Sequence, residues 1–235
     1  MHSGHRLTVA LVAGLLFFAG ALPAIASAAG QPAGTARATS AKPLAAHLLQ
    51  RAQLRTSPGG SVVTTLATTT EFGTPRVLAV VARTGRWLGV LSESMPNGRV
   101  GWISADATEL RVQRYGLELD RSERLLTVRR DNRVIHRMRV AVGKASTVTP
   151  VGLFATTDAL IVDGGSSLYG CCAMPLTGHQ ASSAASTNLR LGIHGTGAEG
   201  SVGSAASAGC LRGRTADMRW LMRWIQPGTP LRIRA

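Results

Sequence analysis

Short runs of β-branched and aliphatic residues recur between residues 44 and 112, and residues with turn propensity separate them. Residues 61–68, 76–82 and 87–91 are the clearest of these runs. Such runs are typical of β-strands when glycine, proline or asparagine lies at their ends. The sequence Pro-Asn-Gly at 96–98 favours a tight hairpin turn, because Asn and Gly tolerate positive φ angles. The pattern therefore predicts a small β-domain over residues 44–112.

The same pattern continues in the second half of the chain. It predicts strands at 117–120, 125–128 and 134–142, where apolar and β-branched residues are again concentrated. Asp131 and Asn132 lie between the last two strands and are suited to a two-residue turn. The sequence therefore predicts a β-hairpin here.

The rest of the second half mixes irregular sequence with short regular elements. Residues 158–187 are rich in Gly and Ser and are interpreted as irregular. A short strand is predicted at 190–193, and residues 215–225 carry apolar side chains at helical spacing. Pro and Gly at 227–228 end that helix before a closing strand at 229–233. The chain is thus predicted to be mainly β, with one helix.

The N-terminal segment has the organisation of a secretory signal. A short basic start precedes an apolar run at 7–22, and small residues at 26–28 fit a cleavage site. The alternative is an uncleaved anchor, but the run is shorter than the roughly 20 residues a span needs, and Pro23 interrupts it. We expect residues 1–28 to direct export to the cell wall or periplasmic space, with membrane contact only through this segment if uncleaved. Residues 29–43 are interpreted as a flexible linker.

The charge of the chain is strongly unbalanced. It has 26 Lys and Arg residues against 12 Asp and Glu, a formal net charge of +14. Such a charge attracts a polyanion, either nucleic acid or an acidic wall polymer. The sequence has no basic tail, no zinc-finger spacing and no interleaved aromatic residues, so nucleic acid is not expected as a partner. Anionic cell-wall polymer is the predicted partner.

The chain has three cysteines, an odd number for an exported protein, so at least one lacks an intramolecular partner. Cys171 and Cys172 are adjacent and can join only through a strained ring, so a conventional disulfide framework is not expected. Cys210 is the thiol that remains to be explained. The cysteines and histidines show no zinc-ligand spacing, and no metal is expected.

Two glycine-rich segments contain a candidate nucleophile and a candidate base. His194 begins the sequence His-Gly-Thr-Gly, and Cys210 follows Ser-Ala-Gly at 207–209. A nucleophilic cysteine needs a base that removes its proton, and histidine is the usual one. Gly209 suits an oxyanion hole, because backbone N–H groups there can point at a reacting carbonyl. The alternative is a buried structural cysteine and a histidine with a purely structural hydrogen bond.

The residues around this pair resemble a known signature. Ile-His-Gly-Thr at 193–196, followed by Ser-x-Gly-Cys-Leu-Arg at 207–212, is similar to the signature of the YkuD-type L,D-transpeptidase catalytic domain. Further motifs in the family's order lie at 125–132, 140–144, 149–154 and 228–233. The resemblance covers residues 115–235, about half of the chain. It departs from the family at Ala208, where many members have His or Asn.

The resemblance implies a β-sandwich catalytic domain over 115–235, with one helix after the nucleophile. The preceding β-domain, 44–112, resembles bacterial SH3-like domains in the placement of Arg55 and of the motifs at 85–90 and 101–103. That domain is interpreted either as a wall-binding module or as a packing module beside the catalytic domain.

For this family, the resemblance implies acyl transfer on peptidoglycan stem peptides without a cofactor. Cys210 would attack the bond between residue three and the terminal D-Ala of a tetrapeptide stem, with His194 as the base. The Gly195 carbonyl would orient the imidazole, and the N–H groups of Gly209 and Cys210 would stabilise the oxyanion. An amine of a second stem would then resolve the thioester to a 3→3 cross-link. The alternatives are an L,D-carboxypeptidase that uses water and an inactive wall-binding protein.

Three further residues are assigned to substrate binding by the resemblance: Tyr169, Ser207 and Arg212. For Arg212 two roles are open, binding a stem-peptide carboxylate or capping the helix that follows. Residues 171–179, which include both adjacent cysteines and a histidine, fall where the family has a loop over the cleft. This loop is interpreted as filled by small residues, with substrate gating as the alternative.

Overall fold

The computed structural model describes residues 43–166, 168–180 and 189–235. The predicted signal, 1–28, and all but the last residue of the predicted linker, 29–43, lie outside these residues. The described part contains eighteen β-strands, three short 3₁₀ helices and one α-helix. This confirms the prediction of a mainly β fold with one helix. None of the helices in the described ranges is long and apolar enough to cross a membrane.

Residues 44–112 form a seven-stranded antiparallel sheet in the order β3-β2-β6-β5-β4-β1-β7. Its strands are β1 (Leu44–Leu48), β2 (Ala52–Arg55), β3 (Val62–Leu66), β4 (Val77–Thr84), β5 (Trp87–Val90), β6 (Gly101–Ser104) and β7 (Thr108–Val112). A 3₁₀ helix at Ala105–Ala107 joins the last two strands. Leu54, Leu88 and Ile103 are fully buried in a core of the sheet's own. The SH3-like assignment of this sheet stays a prediction.

The predicted turn at 96–98 lies inside a longer connection, because β5 ends at Val90 and β6 begins only at Gly101. The Arg99 N–H donates to the Pro96 carbonyl oxygen at 3.0 Å, which closes the turn. Gly98 has a φ of 76°, a conformation that glycine adopts without steric cost. The turn presents the side chain of Asn97 to the second half of the chain.

The second half contains a five-stranded sheet in the order β10-β9-β8-β18-β12. Its strands are β8 (Tyr115–Asp120), β9 (Leu125–Arg130), β10 (Arg133–Arg139), β12 (Gly152–Ala155) and β18 (Pro230–Arg234). Asp131 and Asn132, with φ angles of 49° and 64°, form the turn between β9 and β10. Positive φ at both central residues is the conformation that a two-residue hairpin requires. The predicted hairpin is confirmed.

A four-stranded sheet in the order β13-β14-β15-β17 lies in the same half. Its strands are β13 (Leu160–Ser166), β14 (Gly170–His179), β15 (Arg190–His194) and β17 (Leu211–Arg212). A short parallel pair completes the strands: β11 (Val142–Gly143) and β16 (Ala205–Ser207). Two 3₁₀ helices lie at Ala145–Thr147 and Glu199–Ser201. Neighbouring strands β15 and β17 are parallel, which decides how the candidate site is assembled.

The interpretation of residues 158–187 as irregular is wrong over most of the described part of that range. Strands β13 and β14 occupy it, and β14 pairs on both sides. Cys172, Met174 and Leu176 are buried at alternate positions of β14. Small residues between them weakened the alternation in the sequence, whereas two partner strands supply the backbone hydrogen bonds that fix the strand. The loop interpretation of residues 171–179 is wrong for the same reason.

The α-helix α1 (Thr215–Trp224) packs on β14 with the apolar face that its spacing predicted. Met218, Leu221 and the following Ile225 are fully buried. The two sheets of this half and α1 share one apolar core, which includes Leu119, Phe154, Met174, Ile193 and Leu231. Two sheets around a common core form the β-sandwich that was expected.

Candidate active site

The structure brings Cys210 and His194 to adjacent parallel strands. His194 ends β15 and pairs with Arg212, while Ile193 pairs with Leu211. Cys210 directly precedes β17, and its thiol interacts with the backbone of Gly192. The Sγ atom also lies 3.9 Å from the Arg190 carbonyl oxygen. The candidate nucleophile therefore lies along the strand that ends in the candidate base.

His194 is buried, and its ring is oriented by a backbone carbonyl. Nδ1 lies 2.6 Å from the Gly195 carbonyl oxygen, the contact that the resemblance implies. Because a carbonyl oxygen can only accept, Nδ1 carries the proton and Nε2 of the neutral ring is left as the base. The Gly195 N–H donates to the Cys172 carbonyl at 3.0 Å, which fixes the orienting residue to β14.

Tyr169 contacts the imidazole directly. Its ring meets that of His194 edge to face, with 5.0 Å between the centroids. Tyr169 is 45% exposed, whereas His194 is only 4% exposed, so the tyrosine covers part of a ring that is otherwise enclosed. The predicted role of Tyr169 in substrate binding stays a prediction, and this contact places the residue at the site.

Ser207 holds the nucleophile loop together. Its Oγ donates to the Cys210 carbonyl at 2.7 Å and accepts from the Gly209 N–H at 3.0 Å, and the residue is 1% exposed. The hydroxyl of Ser207 is thus used within the loop, and its assignment to substrate binding stays a prediction. The Gly209 N–H is bound to Ser207 here, and its role as an oxyanion donor likewise stays a prediction.

Sequence reasoning missed two buried residues that support the nucleophile loop. Thr149 Oγ1 donates to the Gly209 carbonyl at 2.8 Å and accepts from the Gly143 N–H at 2.9 Å. Gln180 packs against Gly209, whose φ is 120°, and a Cβ at that glycine would overlap Gln180 Oε1. Thr149 lies within the family motif at 149–154, whereas no pattern in the sequence indicated a role for Gln180.

Arg212 lies close enough to influence both members of the pair. Burial is the largest influence on both pKa values, and the positive charge of Arg212 is a smaller one that opposes the rise at Cys210 and adds to the fall at His194. At the start of α1 the Thr215 N–H donates to Glu199 Oε1 at 2.8 Å, so a carboxylate rather than Arg212 fills this capping position. The buried Arg212 Nε has no hydrogen-bond partner within the described residues. Its carboxylate-binding role stays a prediction.

Burial sets the charge state of the pair. It raises the pKa of the Cys210 thiol, and the Gly192 backbone and the Arg212 charge oppose that shift only in part. Burial also lowers the pKa of His194, against the raising effect of its bond to Gly195. Both shifts favour the neutral forms at neutral pH. A pair that is neutral before attack is suited to general-base catalysis by His194 rather than to a preformed ion pair.

The acid limb of the pH profile follows from the neutral imidazole. Because the pKa of His194 is lowered, the base form persists to a pH below 6.5, and activity is lost only as the pH falls through that lowered pKa. We expect the acid inflection of kcat/KM below 6.5 for the protein and unchanged in His47→Ala, whose histidine lies in the N-terminal sheet. An acid inflection above 6.5 would contradict this account.

Cys171 and Cys172 are joined by a disulfide, and Cys210 is the free cysteine. The bond joins two neighbouring residues of β14, which is the one intramolecular pairing that the sequence analysis left open for Cys171 and Cys172. Across the described ranges, no group of three His, Cys, Asp or Glu side chains could hold a metal ion. His179 lies at the far end of β14 from this disulfide.

Comparison with known proteins identifies the family. The family model of the YkuD L,D-transpeptidase catalytic domain matches residues 114–233, about half of the chain. The chain therefore belongs to the YkuD family of L,D-transpeptidase catalytic domains. The matched residues include both sheets of the sandwich, α1 and the loop that carries Cys210.

Individual proteins are also similar to this chain. The Bacillus subtilis protein YkuD, provisionally named an L,D-transpeptidase, is 30% identical over 119 residues, which is 51% of this chain and 65% of that protein. This chain thus spans less than two thirds of that relative. An L,D-transpeptidase from Mycobacterium smegmatis is 16% identical, with a TM-score of 0.45 over 68% of this chain and 91% of its own. The catalytic domain of an Enterococcus faecium L,D-transpeptidase is 20% identical, with a TM-score of 0.41 over 51% and 96%.

Proposed function

We propose that this protein is a peptidoglycan L,D-transpeptidase that forms 3→3 cross-links through a cysteine thioester. The observation that carries the proposal is the placement of Cys210 beside the strand that ends in His194, whose Nδ1 is held by the Gly195 carbonyl. A thiol, a base with a fixed tautomer and a positive charge nearby are the groups that acyl transfer requires. Membership of the family directs this chemistry to stem peptides.

In the first half of the reaction, Cys210 Sγ attacks the carbonyl that links residue three of a tetrapeptide stem to its terminal D-Ala. His194 Nε2 accepts the thiol proton as the carbon–sulfur bond forms. The Cys210 N–H stabilises the oxyanion, since the Gly209 N–H is bound to Ser207. The tetrahedral intermediate collapses as His194 returns the proton to the amine of D-Ala, which leaves a thioester on Cys210.

In the second half, the side-chain amine of residue three in another stem attacks the thioester. His194 accepts a proton from this amine and returns it to the departing sulfur, which regenerates the thiol and completes the cross-link. Arg212, whose charge reaches the cysteine, is suited to bind the carboxylate of the terminal D-Ala in the first half.

Mass analysis of products from a purified disaccharide-tetrapeptide tests this proposal. A dimer whose mass shows the loss of one D-Ala, with a bond between the third residues of both stems, is the expected product. Release of D-Ala with only tripeptide as the product would replace transfer by hydrolysis, as in an L,D-carboxypeptidase. Recovery of unchanged substrate would refute the proposed activity.

We also propose that the protein works outside the cytoplasmic membrane, close to anionic wall polymer. The net charge of +14 supports this, and six of the exposed arginines lie on β10, on α1 or directly before α1. These arginines are Arg133, Arg137, Arg139, Arg214, Arg219 and Arg223. Attraction between exposed charges acts over about 10 Å at 0.1 M salt and about 3 Å at 1 M.

Retention on isolated cell walls is expected to fall at least about tenfold between low and high salt, because screening shortens the reach of the arginines. Turnover of a small soluble stem peptide should stay nearly constant over the same range. The rival is salt-resistant binding through a groove around Trp87 and Trp102 in the N-terminal sheet. Sedimentation with sacculi separates the two. Retention that does not change with salt concentration, and that is lost when residues 44–112 are deleted, would contradict the electrostatic account.

A further inference from the structure

The N-terminal half binds the end of β14 through one side chain, and this contact is the first of two grips on the catalytic half. Asn97 Nδ2 donates to the His179 carbonyl oxygen at 2.7 Å, and the His179 N–H donates to Asn97 Oδ1 at 2.9 Å. The side-chain amide of Asn97 thus donates one hydrogen bond and accepts another, and it pairs with both the C=O and the N–H group of the same backbone residue. The position of His179 is therefore fixed by a residue outside the catalytic half.

A second side chain grips the beginning of β15. Glu71, in the connection between β3 and β4, forms an ion pair with Nη1 of Arg190. The same guanidinium donates to the Leu176 carbonyl and to Thr157 Oγ1, each at 2.8 Å. Because three groups share its donors, Arg190 is held in one geometry rather than free to change rotamer.

Both anchored residues adjoin the nucleophile loop. The carbonyl oxygen of Arg190 is the one that lies 3.9 Å from Cys210 Sγ. Gln180, the residue after His179, packs against Gly209 and donates from Nε2 to the Val148 carbonyl at 3.3 Å. Arg190 thus contacts Cys210 directly, whereas His179 adjoins Gln180, which packs against the residue before Cys210.

A third contact between the two halves lies elsewhere. Asp158, which is fully buried, accepts a hydrogen bond from Thr70 Oγ1 at 2.6 Å and another from Thr74 Oγ1. Asp158 precedes β13 and makes no contact with the nucleophile loop among its described interactions. Beyond the two grips, the halves also meet at a small apolar cluster that includes Leu91 of the N-terminal half and Ala155 of β12, and Val81 packs against it.

We propose that Asn97 and Glu71 are positioning residues of the acyl-transfer site, which they serve from the N-terminal sheet. By fixing the backbones of His179 and Arg190, they set the position of Cys210 relative to His194. A displacement of about 1 Å at reacting atoms can cost on the order of 100-fold in rate. The inference rests on the proposed function only for the identity of the substrate, because the placement of the thiol is a property of the protein alone.

The test compares Asn97→Ala and Glu71→Gln with Val81→Ala, which weakens the apolar contact between the halves without touching either grip. For the two grip variants we expect kcat on disaccharide-tetrapeptide to fall about tenfold, with KM within about twofold. Their Tm should fall by no more than about 3 °C, since exposed polar contacts stabilise little. Val81→Ala should lose Tm while its kcat stays within about twofold of the unaltered protein.

Alkylation of Cys210 by iodoacetamide gives a readout that does not depend on the substrate. The rate for Cys210 should change at least about threefold in Asn97→Ala and in Glu71→Gln, and not in Val81→Ala. If it changes while the unaltered protein forms no cross-link, the positioning inference stands and the proposed function fails. If kcat and alkylation are unchanged in both grip variants, or change in all three variants in proportion to Tm, the inference is overturned.

Discussion

Substitution of Cys210 by alanine is expected to reduce cross-link formation by more than about 10⁴-fold, because Cys210 is the free cysteine among the described residues and the other two are joined in a disulfide. The side chain is half-buried and packs at the edge of β17, so the loss of one sulfur atom should change the free energy of unfolding by no more than about 1 kcal/mol. Product mass spectra and thermal unfolding of the same preparation measure both quantities.

The other two cysteines provide the matched control for this substitution. The double variant Cys171→Ser with Cys172→Ser removes the disulfide on β14 but keeps the backbone carbonyl of Cys172, which binds the Gly195 N–H. It is expected to keep most of the activity, with lower stability because Cys172 is buried in the core. Full activity in Cys210→Ala, or loss of activity in the double variant at unchanged stability, would move the nucleophile to β14.

Gly209→Ala is expected to lower kcat by on the order of 100-fold, since it displaces the neighbouring nucleophile. The φ of 120° at this position strains any residue with a Cβ, at a cost of about 1–3 kcal/mol, and the added methyl group would overlap Gln180 Oε1. The loop must therefore move or Gln180 must leave its place. Steady-state kinetics with denaturant unfolding separates the loss of rate from the loss of stability.

Gly203→Ala separates backbone strain from the contact with Gln180. Gly203 also has a positive φ, 90°, but the nearest atom to a Cβ there is Arg139 Cδ at 3.8 Å. This variant should lose stability while its kcat stays within about threefold. Adding Gln180→Ala to Gly209→Ala should restore part of the rate, because the overlap is relieved. An active Gly209→Ala variant would show that the close contact between Gly209 and Gln180 does not determine the position of Cys210.

The predictable elements were those with a local cause. The turn at Asp131 and Asn132 needed two residues that tolerate positive φ, and both occur together in the sequence. The helix Thr215–Trp224 needed a repeating apolar face, which its residues carry within ten positions. Each of these signals is complete within a few neighbouring residues, so no knowledge of distant contacts was required.

The elements that escaped prediction depend on distant partners. Strand β14 contains small residues that have little strand propensity, and it forms because β13 and β15 pair with it on either side. The hydroxyl of Ser207 was available for substrate in the sequence, but the fold of its own loop turns it to Cys210 and Gly209. Local sequence does not specify which hydrogen-bond partner a polar side chain meets.

The sequence by itself determined the family, the mainly β architecture of the catalytic half, and the candidate pair Cys210 and His194. Only the tertiary structure decided that these residues lie on adjoining parallel strands, that burial keeps both neutral, and that Asn97 and Glu71 reach the strands beside them. Residue types and their order are properties of the sequence. Distances, burial and hydrogen-bond partners arise only when segments that are far apart in the sequence pack together. The chemistry of this site depends on both.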